Sequence, residues 1–100
     1  MTIVGGGGVR LNEAVPSARF IKEYAQLDAT LQKRTDKALK LLFQYPIPPG
    51  LGFEKLKSFT KPPFIYTIHV TGNIKVSFEI EGGTAFLRRV ATHNEIDRAP

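Results

Sequence analysis

The sequence of 100 residues contains no cysteine and only two histidines, His69 and His93. The lack of cysteine excludes disulfides and thiolate-bound zinc, and it fits the reducing cytoplasm in which we expect the protein to reside. Two histidines with so few suitable neighbours do not make a convincing metal site, so neither a metal nor another cofactor is expected. No apolar run approaches the roughly 18 residues that a membrane-spanning helix needs, so no membrane partner is expected.

The charge is unbalanced towards the basic side. Lysine and arginine number 14 against 9 acidic residues, a formal net charge of +5. Residues 55–75 hold four lysines and no acid: Lys55, Lys57, Lys61 and Lys75. Such a balance favours a polyanionic partner, meaning nucleic acid or an acidic protein. An ordinary solvated surface produces the same counts, so charge alone does not decide the function.

The first part of the chain predicts a strand followed by two helices, within one domain that spans residues 1–100. Glycines at 5–8 lack the Lys-Ser/Thr of a phosphate loop, so residues 1–8 are interpreted as a flexible segment and 9–14 as a first strand. Ser17 and Asp28 are the expected N-caps of the two helices. Apolar positions recur at helical spacing in both helices: Phe20, Ile21, Tyr24 and Leu27, then Leu31, Thr35, Ala38, Leu42 and Tyr45.

After Gly52 the apolar period changes from 3.6 to 2, which indicates strands. We expect them at 53–59, 65–70, 74–81 and 84–93, the last with mixed faces and space for a β-bulge. The fold class is therefore α+β, an N-terminal strand and a helical hairpin packed on an antiparallel sheet of about four strands. The helices should cover the sheet face of Ile68, Val76 and Phe78. The opposite face should carry His69 and Lys75, with Arg89 and His93 as further candidates for that face.

Three motifs make the sequence resemble a known family. They are EKLK at 54–57, the strand pair Y-x-I-x-V-x-x-x-x-K-V-x-F at 66–78, and T-H-x-E-I at 92–96. In this order, after a helical hairpin, they resemble the RelE/ParE toxin superfamily of bacterial type II toxin–antitoxin modules, in its RelE/YoeB/YafQ-like branch. The resemblance covers residues 9–97 and implies a RelE-like fold. Most members cut messenger RNA on the ribosome, whereas the ParE branch poisons DNA gyrase.

The resemblance also implies the site residues. Glu54 falls where YoeB-like members carry an acidic base, and Arg89 with His93 reproduces the R-x-x-x-H ending of YafQ-like members. The implied catalytic residues are Glu54, His69, Lys75, Arg89 and His93. The implied RNA-binding residues are Lys55, Lys57 and Lys61. Ordinary structural roles remain open for these residues, for example a surface ion pair for Glu54 or a strand-end hydrogen bond for His93.

Metal-free RNA cleavage needs a base for the 2′-hydroxyl, cations for the phosphate and an acid for the leaving oxygen. The resemblance therefore implies a ribosome-dependent messenger-RNA endonuclease that a cognate antitoxin neutralises. A gyrase poison, or a weakened toxin homologue that acts with its antitoxin in autorepression, is the alternative. The pair Glu54 and His93 favours the nuclease, because a gyrase poison needs neither a base nor an acid. His69, Lys75, Asn94 and Asp97 depart from the residues usual in the family.

Overall fold

The computed structural model describes residues 9–100, so the glycines at 5–8 lie outside the described part of the chain. Five strands form one sheet: β1 (Glu13–Pro16), β2 (Glu54–Lys55), β3 (Tyr66–His69), β4 (Ile74–Glu81) and β5 (Thr84–Thr92). Their order across the sheet is β1-β5-β4-β3-β2. The helices are α1 (Ala18–Gln26), α2 (Ala29–Leu42) and α3 (His93–Arg98), with a 3-10 turn at Pro49–Leu51.

The predicted α+β architecture is confirmed, and the N-terminal strand joins the sheet, which therefore has five strands rather than about four. β1 runs parallel to β5, from Glu13 opposite Thr84 to Pro16 opposite Leu87, whereas the other neighbours are antiparallel. The sheet is therefore mixed rather than wholly antiparallel. β1 also begins later than the predicted strand at 9–14, because the chain reaches the sheet edge only at Glu13.

Both helix starts are confirmed as predicted. The Ser17 hydroxyl accepts a hydrogen bond from the Phe20 amide at 3.1 Å, and Asp28 accepts one from the Leu31 amide at 2.8 Å. The apolar stripe of α2 is buried at Thr35, Ala38 and Leu42. Tyr45 does not belong to that stripe, since α2 ends at Leu42 and the Tyr45 side chain is half exposed.

The core lies between the helical hairpin and one face of the sheet. Ile68, Val76 and Phe78 are fully buried there and belong to the same cluster as Phe20 and Leu42. The predicted strand at 53–59 is much shorter in the structure, because only Glu54 and Lys55 pair with β3. The chain after β2 therefore leaves the sheet and crosses the sheet face opposite the core.

A β-bulge explains the mixed pattern of β5. Ser77 pairs with Arg89, but the next residue, Phe78, pairs with Leu87, so Arg88 has no partner in the ladder. The extra residue changes which side chains face the core. As a result Leu87 and Val90 both pack in the core although they are three residues apart.

The final strand ends one residue earlier than predicted, and a helix follows it. Thr92 caps α3, because its hydroxyl accepts from the Glu95 amide at 3.3 Å and donates to the Glu95 carboxylate at 2.9 Å. Ile96 anchors the helix in a fully buried position, and α3 contacts β4 and β5. His93 therefore begins a helix instead of ending a strand.

Candidate functional site

A cleft of about 490 Å³ opens between β2, the following loop, the ends of β3 and β4, and α3. It is lined by Glu54, Lys55, Leu56, Lys57, Ser58, His69, Lys75, His93 and Asp97. Four of the five predicted catalytic residues thus meet at one place, together with two of the three predicted RNA-binding lysines. The elements that bring them together are far apart in sequence, so the cleft is a product of the fold.

Lys75 forms the centre of the cleft. Its side chain is only 4% exposed, and its ammonium Nζ lies 3.8 Å from Glu54 Oε1 and 3.4 Å from Asp97 Oδ1. Lysines are almost never buried this deeply unless they are paired. Lys75 is therefore not a solvated surface charge. A cation in such surroundings interacts with an anion more strongly than one in bulk water.

His93 lies beside Lys75 on the first turn of α3. Its amide donates a hydrogen bond to the Asn73 carbonyl at 2.7 Å, which fixes the start of the helix against the β3–β4 turn. Its Nε2 atom is 2.8 Å from Asp97 Oδ2, four residues later in the same helix. The imidazole remains 44% exposed, so a ligand in the cleft can reach it.

His69 packs over Gly52, at the end of the 3-10 turn. Gly52 has a φ of 69°, and a Cβ atom built there would lie 2.0 Å from Cδ2 of His69. Glycine is therefore needed both for the left-handed backbone and for the close approach of the ring. The contact holds the imidazole at the edge of the cleft.

A second groove begins on the other side of His69. Its volume is about 540 Å³, and its charged lining residues are Arg34 and Lys37 of α2. Leu41, Leu51 and Val70 give it apolar walls. Because His69 lines both cavities, they adjoin each other. Arg34 and Lys37 were not predicted as site residues from the sequence, although their spacing of three places them on one side of α2.

Arg89 lies outside the cleft. Its side chain is 6% exposed, and its guanidinium is 2.6 Å from Glu23 of α1, 3.6 Å from Glu95 and 2.8 Å from the Ala99 carbonyl, to which it donates. The hydrogen bond to Glu23 raises the pKa of Arg89, with burial opposing this effect. Arg89 therefore links α1 to α3 and does not line the surface where the other predicted catalytic residues meet.

The three predicted RNA-binding lysines have different surroundings. Lys57 is exposed at the cleft, and Lys55 also lines it while its ammonium lies 3.8 Å from the centre of the Phe64 ring. Lys61 is exposed in the following loop and does not line the cleft. Two of the three therefore lie where a ligand of the cleft would pass.

Asp97 was missed as a site residue, although it contacts both Lys75 and His93. Its four-residue spacing from His93 was the available signal, but that spacing has meaning only within a helix. Among residues 9–100, no group of three or more His, Asp or Glu side chains could hold a metal ion. No helix in the same range is long and apolar enough to cross a membrane.

Comparison with known proteins identifies the fold. The sequence matches no protein-family model and no curated protein. Among solved structures, the E. coli DinJ–YafQ toxin–antitoxin complex matches with a TM-score of 0.69 at 13% identity, over 88% of this chain and 98% of the matched chain. The YoeB dimer from Staphylococcus aureus matches with a TM-score of 0.60 at 18% identity, over 85% and 99%.

A third solved structure gives the same result. The RelB–RelE antitoxin–toxin complex from Methanococcus jannaschii matches with a TM-score of 0.57 at 21% identity, over 86% of this chain and 99% of the matched chain. These likenesses extend over nearly the whole of each solved chain, so they concern the complete domain. The chain has the RelE-like fold, and the resemblance found in the sequence is confirmed at the level of the fold.

Proposed function

We propose that the protein is the toxin of a type II toxin–antitoxin module and cleaves messenger RNA on the ribosome without a metal ion. The observation that carries this proposal is the cleft, where a carboxylate, a buried ammonium and a partly exposed imidazole adjoin each other. Glu54, Lys75 and His93 supply these groups. They are the base, the cation and the acid that phosphodiester cleavage by a neighbouring 2′-hydroxyl needs.

The reaction follows from these three groups. Glu54 accepts the proton of the 2′-hydroxyl as that oxygen attacks the adjacent phosphorus. Lys75 stabilises the negative charge that builds on the phosphate oxygens. The bond from phosphorus to the 5′-oxygen then breaks, and His93 donates a proton to that oxygen. The products are a 2′,3′-cyclic phosphate and a 5′-hydroxyl, and no water is consumed.

The RNA strand is proposed to continue from the cleft over His69 to the second groove. Lys57 contacts phosphates on the cleft side, and Arg34 and Lys37 contact them on the α2 side. His69 lies between the two groups, where a flat ring can stack on a base. The apolar walls of the second groove suit the face of a nucleotide, while its two cations suit the backbone.

The test is primer extension on a translated messenger after the protein is induced. Discrete cuts that disappear in Glu54→Gln and His93→Gln are expected, with His93→Gln lowering the rate by about 10²-fold. Glu81→Gln is the matched control, because Glu81 is exposed at the far end of β4 and does not line the cleft. Repeating the assay with purified RNA and no ribosome tests whether the ribosome is needed.

Other outcomes would point to the alternative functions. An intact messenger together with DNA breaks would indicate that the protein is a gyrase poison and not a nuclease. An intact messenger and intact DNA, with repression of the gene pair, would indicate a homologue acting only in autorepression. For the antitoxin, we expect the product of an adjacent gene to bind the protein and to restore growth when both are expressed.

A further inference from the structure

We infer that Asp97 is a positioning residue, which holds the His93 ring so that the acid acts through Nδ1. The inference rests on the proposed nuclease and concerns a residue that lies one helical turn from the acid. Asp97 Oδ2 is 2.8 Å from His93 Nε2, and Asp97 Oδ1 is 3.4 Å from Lys75 Nζ. Each oxygen of the carboxylate thus has its own partner. Rotation of the carboxylate would break its contact with His93 or with Lys75.

The chemistry of the contact determines which nitrogen of His93 carries the proton. An ionised carboxylate has only acceptor sites, whereas each nitrogen of a neutral imidazole is either a donor or an acceptor. Two lone pairs facing each other across the 2.8 Å between Asp97 Oδ2 and His93 Nε2 would repel, so Nε2 is the protonated nitrogen in the neutral ring. Nδ1 is then the nitrogen that gains and loses the catalytic proton.

The proton balance of the reaction agrees with this assignment. The imidazolium gives its Nδ1 proton to the 5′-oxygen as the phosphorus–oxygen bond breaks. The ring that remains is neutral and still carries its Nε2 proton, so the contact with Asp97 is the same before and after the step. A carboxylate fixed beside the second nitrogen of a catalytic histidine is a known means of selecting one tautomer.

Lys75 connects this pair to the rest of the cleft. Its ammonium lies between Asp97 and Glu54, at 3.4 Å and 3.8 Å. Lys75 is therefore a buried cation that holds both carboxylates: Asp97, which orients the acid, and Glu54, which acts as the base. This arrangement also fixes α3 relative to β2, although three strands separate these two elements along the chain.

The first test is a double-mutant cycle on the rate of cleavage. Asp97→Asn should slow single-turnover cleavage by about 10²-fold, a loss of the size expected for a mispositioned acid. Its affinity for an RNA that lacks the attacking 2′-hydroxyl should not fall, since the change removes no cation from the cleft. In a His93→Gln background the same change should have almost no further effect, because residues that act as a unit are not additive. Equal fold-losses in both backgrounds would overturn the inference.

The second test measures the tautomer of the His93 ring directly and does not depend on RNA cleavage. Long-range ¹H–¹⁵N correlation spectra of the labelled protein, at a pH where imidazoles are neutral, distinguish the two tautomers. His93 should show only the Nε2–H form in the wild type, and the Nδ1–H form should become detectable in Asp97→Asn. Glu95→Gln is the control, because it removes a different carboxylate of α3 and should leave the tautomer unchanged.

These two readouts separate the inference from the proposed function. A wild-type ring in the Nδ1–H form would overturn the inference even if the protein cuts RNA. A fixed Nε2–H ring that depends on Asp97, in a protein that cuts no RNA, would overturn the nuclease while supporting the role of Asp97 in positioning His93.

Discussion

Glu54 and Arg89 occupy the two ends of one cross-strand row on the same sheet face. Glu54 pairs with Thr67, Thr67 with Ser77, and Ser77 with Arg89. Three strand spacings of about 4.8 Å separate their backbones by about 14 Å. Glu54 thus lies at the cleft, whereas Arg89 lies where β5 meets Glu23 of α1. The row explains why Arg89, which the sequence suggested as a catalytic residue, does not lie beside Glu54.

Arg89→Gln should therefore act on stability. It leaves Glu23, whose side chain is 18% exposed, without its cation, and removes the hydrogen bond to the Ala99 carbonyl. Breaking a pair this buried costs about 3 kcal/mol, which chemical denaturation would detect. Arg88→Gln is the control, since the Arg88–Glu79 pair is about one third exposed and should contribute less than about 1 kcal/mol. Equal stability of the two variants would contradict a structural role for Arg89.

Gly52→Ala should disturb His69. The left-handed backbone alone costs a residue with a Cβ atom about 1–2 kcal/mol, and the His69 ring must also move. We expect lower unfolding free energy and shifted ring signals of His69 in NMR spectra. Gly50→Ala, two residues earlier, is the matched control, because a Cβ atom added there would meet nothing within 4 Å and its φ is not positive. Identical His69 spectra in both variants would show that the ring does not depend on Gly52.

Lys37→Gln should lower the affinity for RNA and make that affinity less dependent on salt concentration. Each phosphate contact to a single strand contributes about 0.7 to the slope of log affinity against log salt. Loss of one contact should lower the slope by about that amount in a titration with labelled single-stranded RNA. Lys33→Gln removes the same charge from the same helix outside the groove and should change the slope much less. Similar slopes for the two variants would mean that RNA does not enter the second groove.

Glu95 should make the stability of the protein depend on acid pH. The hydrogen bond from the Thr92 hydroxyl, with the nearby Arg89, holds the pKa of Glu95 below its ordinary value of 4.5. A lowered folded-state pKa contributes stability above the unfolded value, and this stability is lost as pH falls through the folded value. The wild type should therefore be more stable than Glu95→Gln at neutral pH, and the difference should shrink below pH 4.5 in urea titrations. A difference that grows with acid would contradict this.

Elements that depend on residues close together in the sequence could be predicted from local patterns. The caps at Ser17 and Asp28 act over three residues, and the alternation in 74–81 places Val76 and Phe78 in the core. Alternation in 65–70 and 74–81 placed His69 and Lys75 on the face opposite the core, which the structure confirms.

The parts that could not be predicted depend on distant residues or on very short elements. The partner of Arg89 is Glu23, 66 residues earlier, and no local pattern indicates that pair. The bulge at Arg88 reverses the alternation of β5, so its faces could not be assigned from one strand alone. α3 has six residues, too few to show a helical period, which is why Asp97 was not recognised beside His93.

The parallel pairing of β1 with β5 limits when the complete fold can form during synthesis. Ser17 bonds the Arg88 carbonyl and Glu13 bonds Thr84, contacts that each join residues 71 positions apart. Pairings between such distant residues form late in folding, because the entropy of closing a long loop is lost before the new contacts stabilise the chain. The nascent chain therefore keeps an unpartnered first strand and no assembled cleft until residues 84–97 have been made. The cleft is therefore complete only after translation has passed residue 97.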